Sequence, residues 1–145
     1  DTSKIKKEVV KSKKAIIREC EEKIEKIQLD YPELVLEGDL DADVLMLSWG
    51  STYGSVQAAH QTCQKQNIKL AYLHLKHLCP LPVDLEAILK RFQHVLVAEL
   101  NSGQLCAVLR EKYLINLKAV TQCNGQPFSI STMVSAVQAE IDHAK

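Results

Sequence analysis

The chain lacks most of the features that mark a specialised protein. No apolar run in its 145 residues approaches the ~20 needed to cross a bilayer. Its start, Asp1-Thr2-Ser3-Lys4, has no secretory apolar stretch. The sequence therefore predicts a cytoplasmic location and no membrane partner. It also lacks charge of one sign: 18 basic and 18 acidic residues cancel. Without a long-range positive field, nucleic acid is not expected as a partner. Cysteine is present but unorganised. Cys20, Cys63, Cys79, Cys106 and Cys123 form no CxxC pair and no His/Cys cluster at metal spacing, so neither a metal site nor a disulfide framework is predicted, and the thiols read as reduced. The histidines, His60, His74, His77, His94 and His143, make no HExxH motif and no nucleophile–base order. His74 and His77 lie close together at a predicted strand end, where a surface or crossover role is expected. No catalytic residue and no cofactor-binding residue is assigned.

What the chain does have is an ordinary globular balance, 46% apolar and 25% charged, enough for one domain with a core. Over residues 3–29, Ile5, Val9, Ile16, Cys20, Ile24 and Ile27 recur at helical spacing among Lys and Glu, which predicts an amphipathic helix about 40 Å long. Glu19–Lys23 and Glu22–Lys26 support it at i,i+4. Asp30-Tyr31-Pro32 ends it, because the residue before a proline is pushed out of helical geometry. The surplus apolar stripe is expected to meet parts of a larger protein, with packing on its own domain as the equal alternative. The first residue is not methionine, a further hint of a longer parent chain.

From Leu34 onward short apolar runs alternate with helical stretches, the pattern of α/β architecture. Strands are predicted at Leu34–Glu37, Asp43–Trp49, Ile68–Leu75, His94–Leu100 and Ile115–Cys123. Helices are predicted near Gly54–Gln66, Asp84–Phe92, Gly103–Tyr113 and Ser131–His143, with Asp84 and Ser131 as N-caps. The unbroken runs Val44–Leu47 and Val95–Ala98 suit central parallel strands buried on both faces. Cys79-Pro80-Leu81-Pro82 reads as a stiff crossover.

Two strand ends carry small polar residues. Trp49-Gly50-Ser51-Thr52-Tyr53-Gly54-Ser55 runs from a buried strand into a helix, where backbone N–H groups can converge on an anion. It has neither the lysine of a Walker loop nor GxGxxG spacing, and the local sequence favours the plainer reading of a tight turn that needs glycine. Glu99-Leu100-Asn101-Ser102-Gly103-Gln104-Leu105 repeats the arrangement. There, a ligand- or partner-facing crevice at strand carboxyl ends stands beside a plainer alternative, in which Asn101 or Ser102 caps the next helix and Glu99 sits at a solvated strand end. The candidate crevice residues are Gly50, Ser51, Thr52, Glu99, Asn101, Ser102, Gly103 and Gln104.

Taken in order, Asp41-Ala42-Asp43-Val44 leading to Trp49-Gly50-Ser51-Thr52-Tyr53-Gly54, then Leu78-Cys79-Pro80-Leu81-Pro82, then Glu99 to Leu105 with Leu109-Arg110, and finally Gly125-Gln126-Pro127-Phe128 resemble the C-terminal domain of 2-oxoacid:ferredoxin oxidoreductase α subunits. The 2-oxoglutarate type is most similar. The resemblance covers residues 41–130, and residues 1–32 are similar to the amphipathic connector before that domain. It departs from the family pattern at Cys79, where an apolar or aromatic residue is usual, and at Ser102, where leucine is usual.

The resemblance implies a transketolase C-terminal-like domain over residues 33–145. Its fold would be a three-layer α/β/α arrangement with a five-stranded, mostly parallel sheet in order 1-3-2-4-5, the first strand antiparallel. It implies an assembly role in an enzyme that oxidises a 2-oxoacid, with 2-oxoglutarate as the expected substrate, to an acyl-CoA. That complete enzyme would use thiamine diphosphate, Mg, an iron–sulfur cluster and coenzyme A, with none of them held by this chain. Implied partners are the remaining domains of its own α subunit, a thiamine-diphosphate-binding β subunit, and ferredoxin. The alternative is an independent Rossmann-like module that binds a small ligand.

Overall fold

A computed structural model describes residues 2–143, with side-chain surroundings from residue 9 onward. The chain divides into two compact units. The first comprises the residues up to Pro32 together with His77–Val83, and the second Glu33–Lys76 and Asp84–Lys145.

The first unit is built on helix α1 (Thr2–Ile27), which runs into a 3-10 turn at Gln28–Asp30. Tyr31 then adopts extended geometry, as expected before Pro32. Glu19 pairs with Lys23 at 2.8 Å and Arg18 with Glu22 at 3.1 Å, while Ile16, Ile17, Ile24 and Ile27 stay exposed. Tyr31 stacks on His77 with ring centroids 4.1 Å apart.

The second unit is a five-stranded sheet of β1 (Leu36–Gly38), β2 (Val44–Trp49), β3 (Ala71–Leu75), β4 (His94–Glu99) and β5 (Leu117–Thr121). The order is β1-β3-β2-β4-β5, with β1 antiparallel to β3 and the other pairs parallel. The sheet order and the single antiparallel strand are those expected from the resemblance. β2 and β4 lie at the centre, and Val44–Leu47 and Val95–Ala98 are buried along their whole length. The continuous apolar runs are thus explained by helices on both faces.

Strand alternation divides the side chains. Val44, Met46, Tyr72, Leu96 and Ala98 share one face with Val56, Ala59 and Cys63 of α2 (Tyr53–Lys65) and Met133 and Val137 of α5 (Ile130–His143). The opposite face carries Leu45, Leu47, Leu73, Val95 and Val97. The short helix α3 (Leu85–Leu89) contributes buried Leu85 and Leu89, and α4 (Gln104–Tyr113) contributes Leu105, Cys106 and Leu109. This division follows from right-handed crossovers: the chain moves one way from β2 to β3 and the other way from β3 to β4 and from β4 to β5.

The structure moves several expected boundaries. The third strand begins at Ala71 instead of Ile68. Asn67 is left-handed with φ 57°, and Leu70 is held outside the ladder, its N–H bonded to the Asp39 carboxylate at 3.1 Å and its C=O receiving the Asp39 N–H at 3.0 Å. The fifth strand starts at Leu117, after left-handed Leu114 ends α4. Neither expected N-cap operates. The Asp84 carboxylate accepts the Leu34 N–H, 3.2 Å away, instead of capping α3. Ser131 lies inside α5, and Ser129 Oγ accepts the Thr132 N–H at 3.2 Å.

Candidate functional site

The parallel pairing of β2 with β4 matches Ser48 to Ala98, so the two polar strand ends emerge side by side at one edge of the sheet. From β2 the chain turns toward β3, and from β4 toward β5. The edge between them is therefore the topological switch point of an open α/β sheet.

After β2, Gly50–Thr52 form one 3-10 turn that leads directly into α2. Gly50 has φ +60°, a left-handed conformation that glycine adopts without a Cβ clash. Thr52 is buried and wholly occupied: its hydroxyl donates to Trp49 O at 2.8 Å and accepts the Trp49 N–H at 3.1 Å. Gly50 and Ser51 are exposed. The Trp49 indole N–H is buried without a hydrogen-bond acceptor.

At the end of β4 the carboxylate of Glu99 is completely buried. It is not the solvated strand end or exposed contact the sequence suggested. One oxygen accepts the Leu105 N–H and the other the Cys106 N–H, both at 2.8 Å. Two donors of the first turn of α4 are thereby satisfied from inside the protein, and the negative charge faces the positive end of the helix. Asn101 Oδ1 accepts the N–H of Gly103 at 2.7 Å and of Gln104 at 3.2 Å, the side-chain-to-backbone turn expected of asparagine. Gly103 has φ +89°, and a Cβ there would lie 3.3 Å from Ala119 Cβ. Capping is thus done jointly by Glu99 and Asn101. Ser102 and Gln104 are exposed beside them.

The sequence reading missed a polar cluster that flanks this edge. Ser48 is fully buried at the end of the apolar run of β2, with its Oγ 2.9 Å from His74 Nδ1 and 3.4 Å from Leu73 O. The Tyr53 ring, at the start of α2, meets the His74 ring edge-on at 5.1 Å. The Tyr53 hydroxyl donates to Glu37 at 3.2 Å, and the Tyr72 hydroxyl donates to the same carboxylate at 3.1 Å. Burial and then the Glu37 hydrogen bond push both phenols above their ordinary pKa. Burial, and then the positive charge of Lys76, hold the His74 imidazole below its ordinary pKa. The two histidines, close in sequence, have separate surroundings: His74 belongs to β3, and His77 stacks on Tyr31 in the other unit. The signal for this cluster was polar residues at period two, Tyr72 and His74, within a strand otherwise buried, together with the serine that closes the β2 run.

None of these groups suits a metal or cluster. Among the described residues no three His, Cys, Asp or Glu side chains converge at metal-binding range. The buried thiols of Cys63 and Cys106 are pushed up by burial, away from the thiolate a metal needs.

Comparison with known proteins gives this edge a context. Residues 42–133 match the family described as pyruvate:ferredoxin oxidoreductase core domain II. The chain belongs to this family. It is 41% identical over 88 residues to the 2-oxoglutarate oxidoreductase subunit KorA of Mycobacterium tuberculosis, covering 61% of this chain and 14% of that protein. It is 31% identical over 105 residues to subunit alpha of 2-oxoacid:ferredoxin oxidoreductase 1 of Aeropyrum pernix, covering 69% of this chain and 16% of that protein. The solved 2-oxoglutarate:ferredoxin oxidoreductase of Magnetococcus marinus, which binds 2-oxoglutarate, coenzyme A and succinyl-CoA, superposes with a TM-score of 0.74 at 33% identity, covering 81% of this chain and 21% of that one. An inactive split-gene transketolase, at 22% identity and a TM-score of 0.56, shares the fold, covering 76% of this chain and 41% of its own. Against these 2-oxoacid oxidoreductase subunits, the domain II chain spans only about a fifth of the length or less. Nothing in the comparisons favours an independent Rossmann-like module.

Proposed function

We propose that this chain is the C-terminal assembly domain of a 2-oxoacid:ferredoxin oxidoreductase α subunit and acts by docking its switch-point edge against the rest of that enzyme. The observation that carries the reading is that the polar groups capping this edge are consumed inside the domain. Glu99, Asn101 and Thr52 spend their side chains on the domain's own backbone, which shapes a firm surface. The exposed residues of the two loops are Gly50, Ser51, Gly54, Leu100, Ser102 and Gln104. Such an edge fits a neighbouring polypeptide better than it fits a substrate, which needs convergent unpaired groups.

On this reading the whole enzyme oxidises a 2-oxoacid, of the 2-oxoglutarate type, to its acyl-CoA in the cytoplasm and passes electrons to ferredoxin. Thiamine diphosphate, Mg, the iron–sulfur cluster and coenzyme A are held by the other domains of the α subunit and by a β subunit. This chain's residues position the surroundings of that chemistry and perform none of it. Mixed with 2-oxoacid, coenzyme A, thiamine diphosphate and a viologen dye, the chain by itself should show no turnover above background. Turnover would contradict an assembly role.

Asn101 is a poor probe of docking, because its replacement also opens the turn before α4. Ser51→Trp and Ser102→Trp place bulk at exposed positions and break no hydrogen bond recorded in the structure. Both should leave the chain folded, as judged by circular dichroism, and should reduce assembly and turnover of the complete enzyme at least tenfold. Normal assembly and turnover by both variants would reject the docking edge.

A further inference from the structure

We propose that His74 is a contact within this docking edge, its Nε2 hydrogen-bonding an uncharged group, a backbone N–H or C=O, of the docked polypeptide. The inference deepens the assembly reading and rests on it.

The geometry around the ring is what points there. His74 and Ser48 are paired across β3 and β2, one residue short of the strand ends Leu75 and Trp49, so the imidazole lies at the same carboxyl edge as the Gly50–Thr52 turn. One side of the ring is fixed. Nδ1 is 2.9 Å from Ser48 Oγ, and the first residue of α2, Tyr53, meets the ring edge-on. Nε2 has no protein hydrogen-bond partner among the described residues and is not among the buried unpartnered atoms, so it opens to solvent. An imidazole anchored at one nitrogen and open at the other is oriented toward whatever covers the edge.

Ser48 makes the open nitrogen adaptable. When the Ser48 hydroxyl donates to Leu73 O, Nδ1 carries the hydrogen and donates to Ser48 Oγ, leaving Nε2 as an acceptor. When Ser48 donates to Nδ1, Nε2 carries the hydrogen and is a donor. Either backbone group of a partner can be met by a rotation of the Ser48 hydroxyl together with a change of the ring tautomer, the ring proton being exchanged with solvent.

The neutrality of the partner group follows from the surroundings. The ionisable groups around the ring are Glu37 from β1, Tyr53 from α2 and Lys76 just beyond β3, and burial with the Lys76 charge disfavours the imidazolium more than Glu37 favours it. Covering the edge removes more water and disfavours the charged ring further. The docked state then binds fewer protons than the free one. Docking must weaken as pH falls through the free domain's His74 pKa, which lies below the ordinary value of about 6.5, and become independent of pH above it. A carboxylate partner would give the opposite slope.

Diethylpyrocarbonate, which attacks neutral imidazole nitrogen, reads the contact directly when modified histidines are mapped by mass spectrometry. His74 should react in the 145-residue chain and be protected at least tenfold in the assembled enzyme. The enzyme carrying His74→Gln, which keeps a hydrogen-bonding group beside Ser48, should still assemble near pH 7.5 and should lose the acid weakening seen in wild type. Equal reactivity of His74 in both states overturns the inference. So does an acid dependence that is unchanged in His74→Gln or that runs in the opposite direction. If Ser102→Trp blocks assembly while His74 stays reactive in the wild-type enzyme, docking stands and the His74 contact falls. If both Trp variants assemble normally, the docking reading itself has failed and takes the contact with it.

Discussion

At the scale of single residues, the most informative side chain is Glu99, a carboxylate with no exposed surface that holds two amides of α4. Bonds from a charged acceptor contribute about 1.5–3 kcal/mol each, and a buried donor left unpaired costs about 1–3 kcal/mol. Glu99→Gln keeps the shape, removes the charge and replaces one acceptor oxygen with a donor facing an N–H. It should lower unfolding free energy by about 2–4 kcal/mol in urea melts, whereas a loss under about 0.5 kcal/mol would show that the capping is incidental. The cysteines give an independent check on burial. Cys63 and Cys106 are buried and their thiols are pushed up, chiefly by desolvation; a raised pKa leaves less thiolate at any pH below it. Alkylation of the native chain at pH 8 should therefore label the exposed Cys20, Cys79 and Cys123 and spare the other two until the protein unfolds.

At the scale of elements, the sequence was most readable where one physical signal acted alone. The buried runs of β2 and β4 announced central strands, because only a strand covered on both faces is continuously apolar. The periodic stripe of residues 3–29 announced α1. Reading failed at element ends, where long-range partners compete with local preference. Ser129 and Ser131 both stand near the start of α5, and nothing local favours the first. The decision is made by Ser129 Oγ reaching the Thr132 N–H. Ser129→Ala should cost about 1 kcal/mol, a typical value for a lost N-cap, while Ser131→Ala should change stability by less than about 0.5 kcal/mol. Equal costs for both would show that the helix start is misplaced. The edge itself was half legible. The glycines and Asn101 were visible as turn formers, but Glu99 looked like a polar strand end, because its capping amides lie six and seven residues further on. Ser48, His74 and Tyr53 come from three different elements, and no local pattern joins them.

At the scale of the whole molecule, the family assignment and the switch-point topology lead to the same place. The chain spans only a small share of its relatives' length, and Thr52, Asn101 and Glu99 at the switch-point edge are turned inward; on the proposed reading that edge is covered in the complete enzyme. Hydrogen–deuterium exchange compares that edge directly in the 145-residue chain and in the complete enzyme. The amides of residues 50–54 and 101–104 should slow by at least tenfold on assembly, while those of 41–43 and 67–69, at the opposite edge of the sheet, serve as the internal reference and should slow less. Protection confined to the opposite edge, or exchange at 50–54 and 101–104 that is the same in both states, would contradict the account.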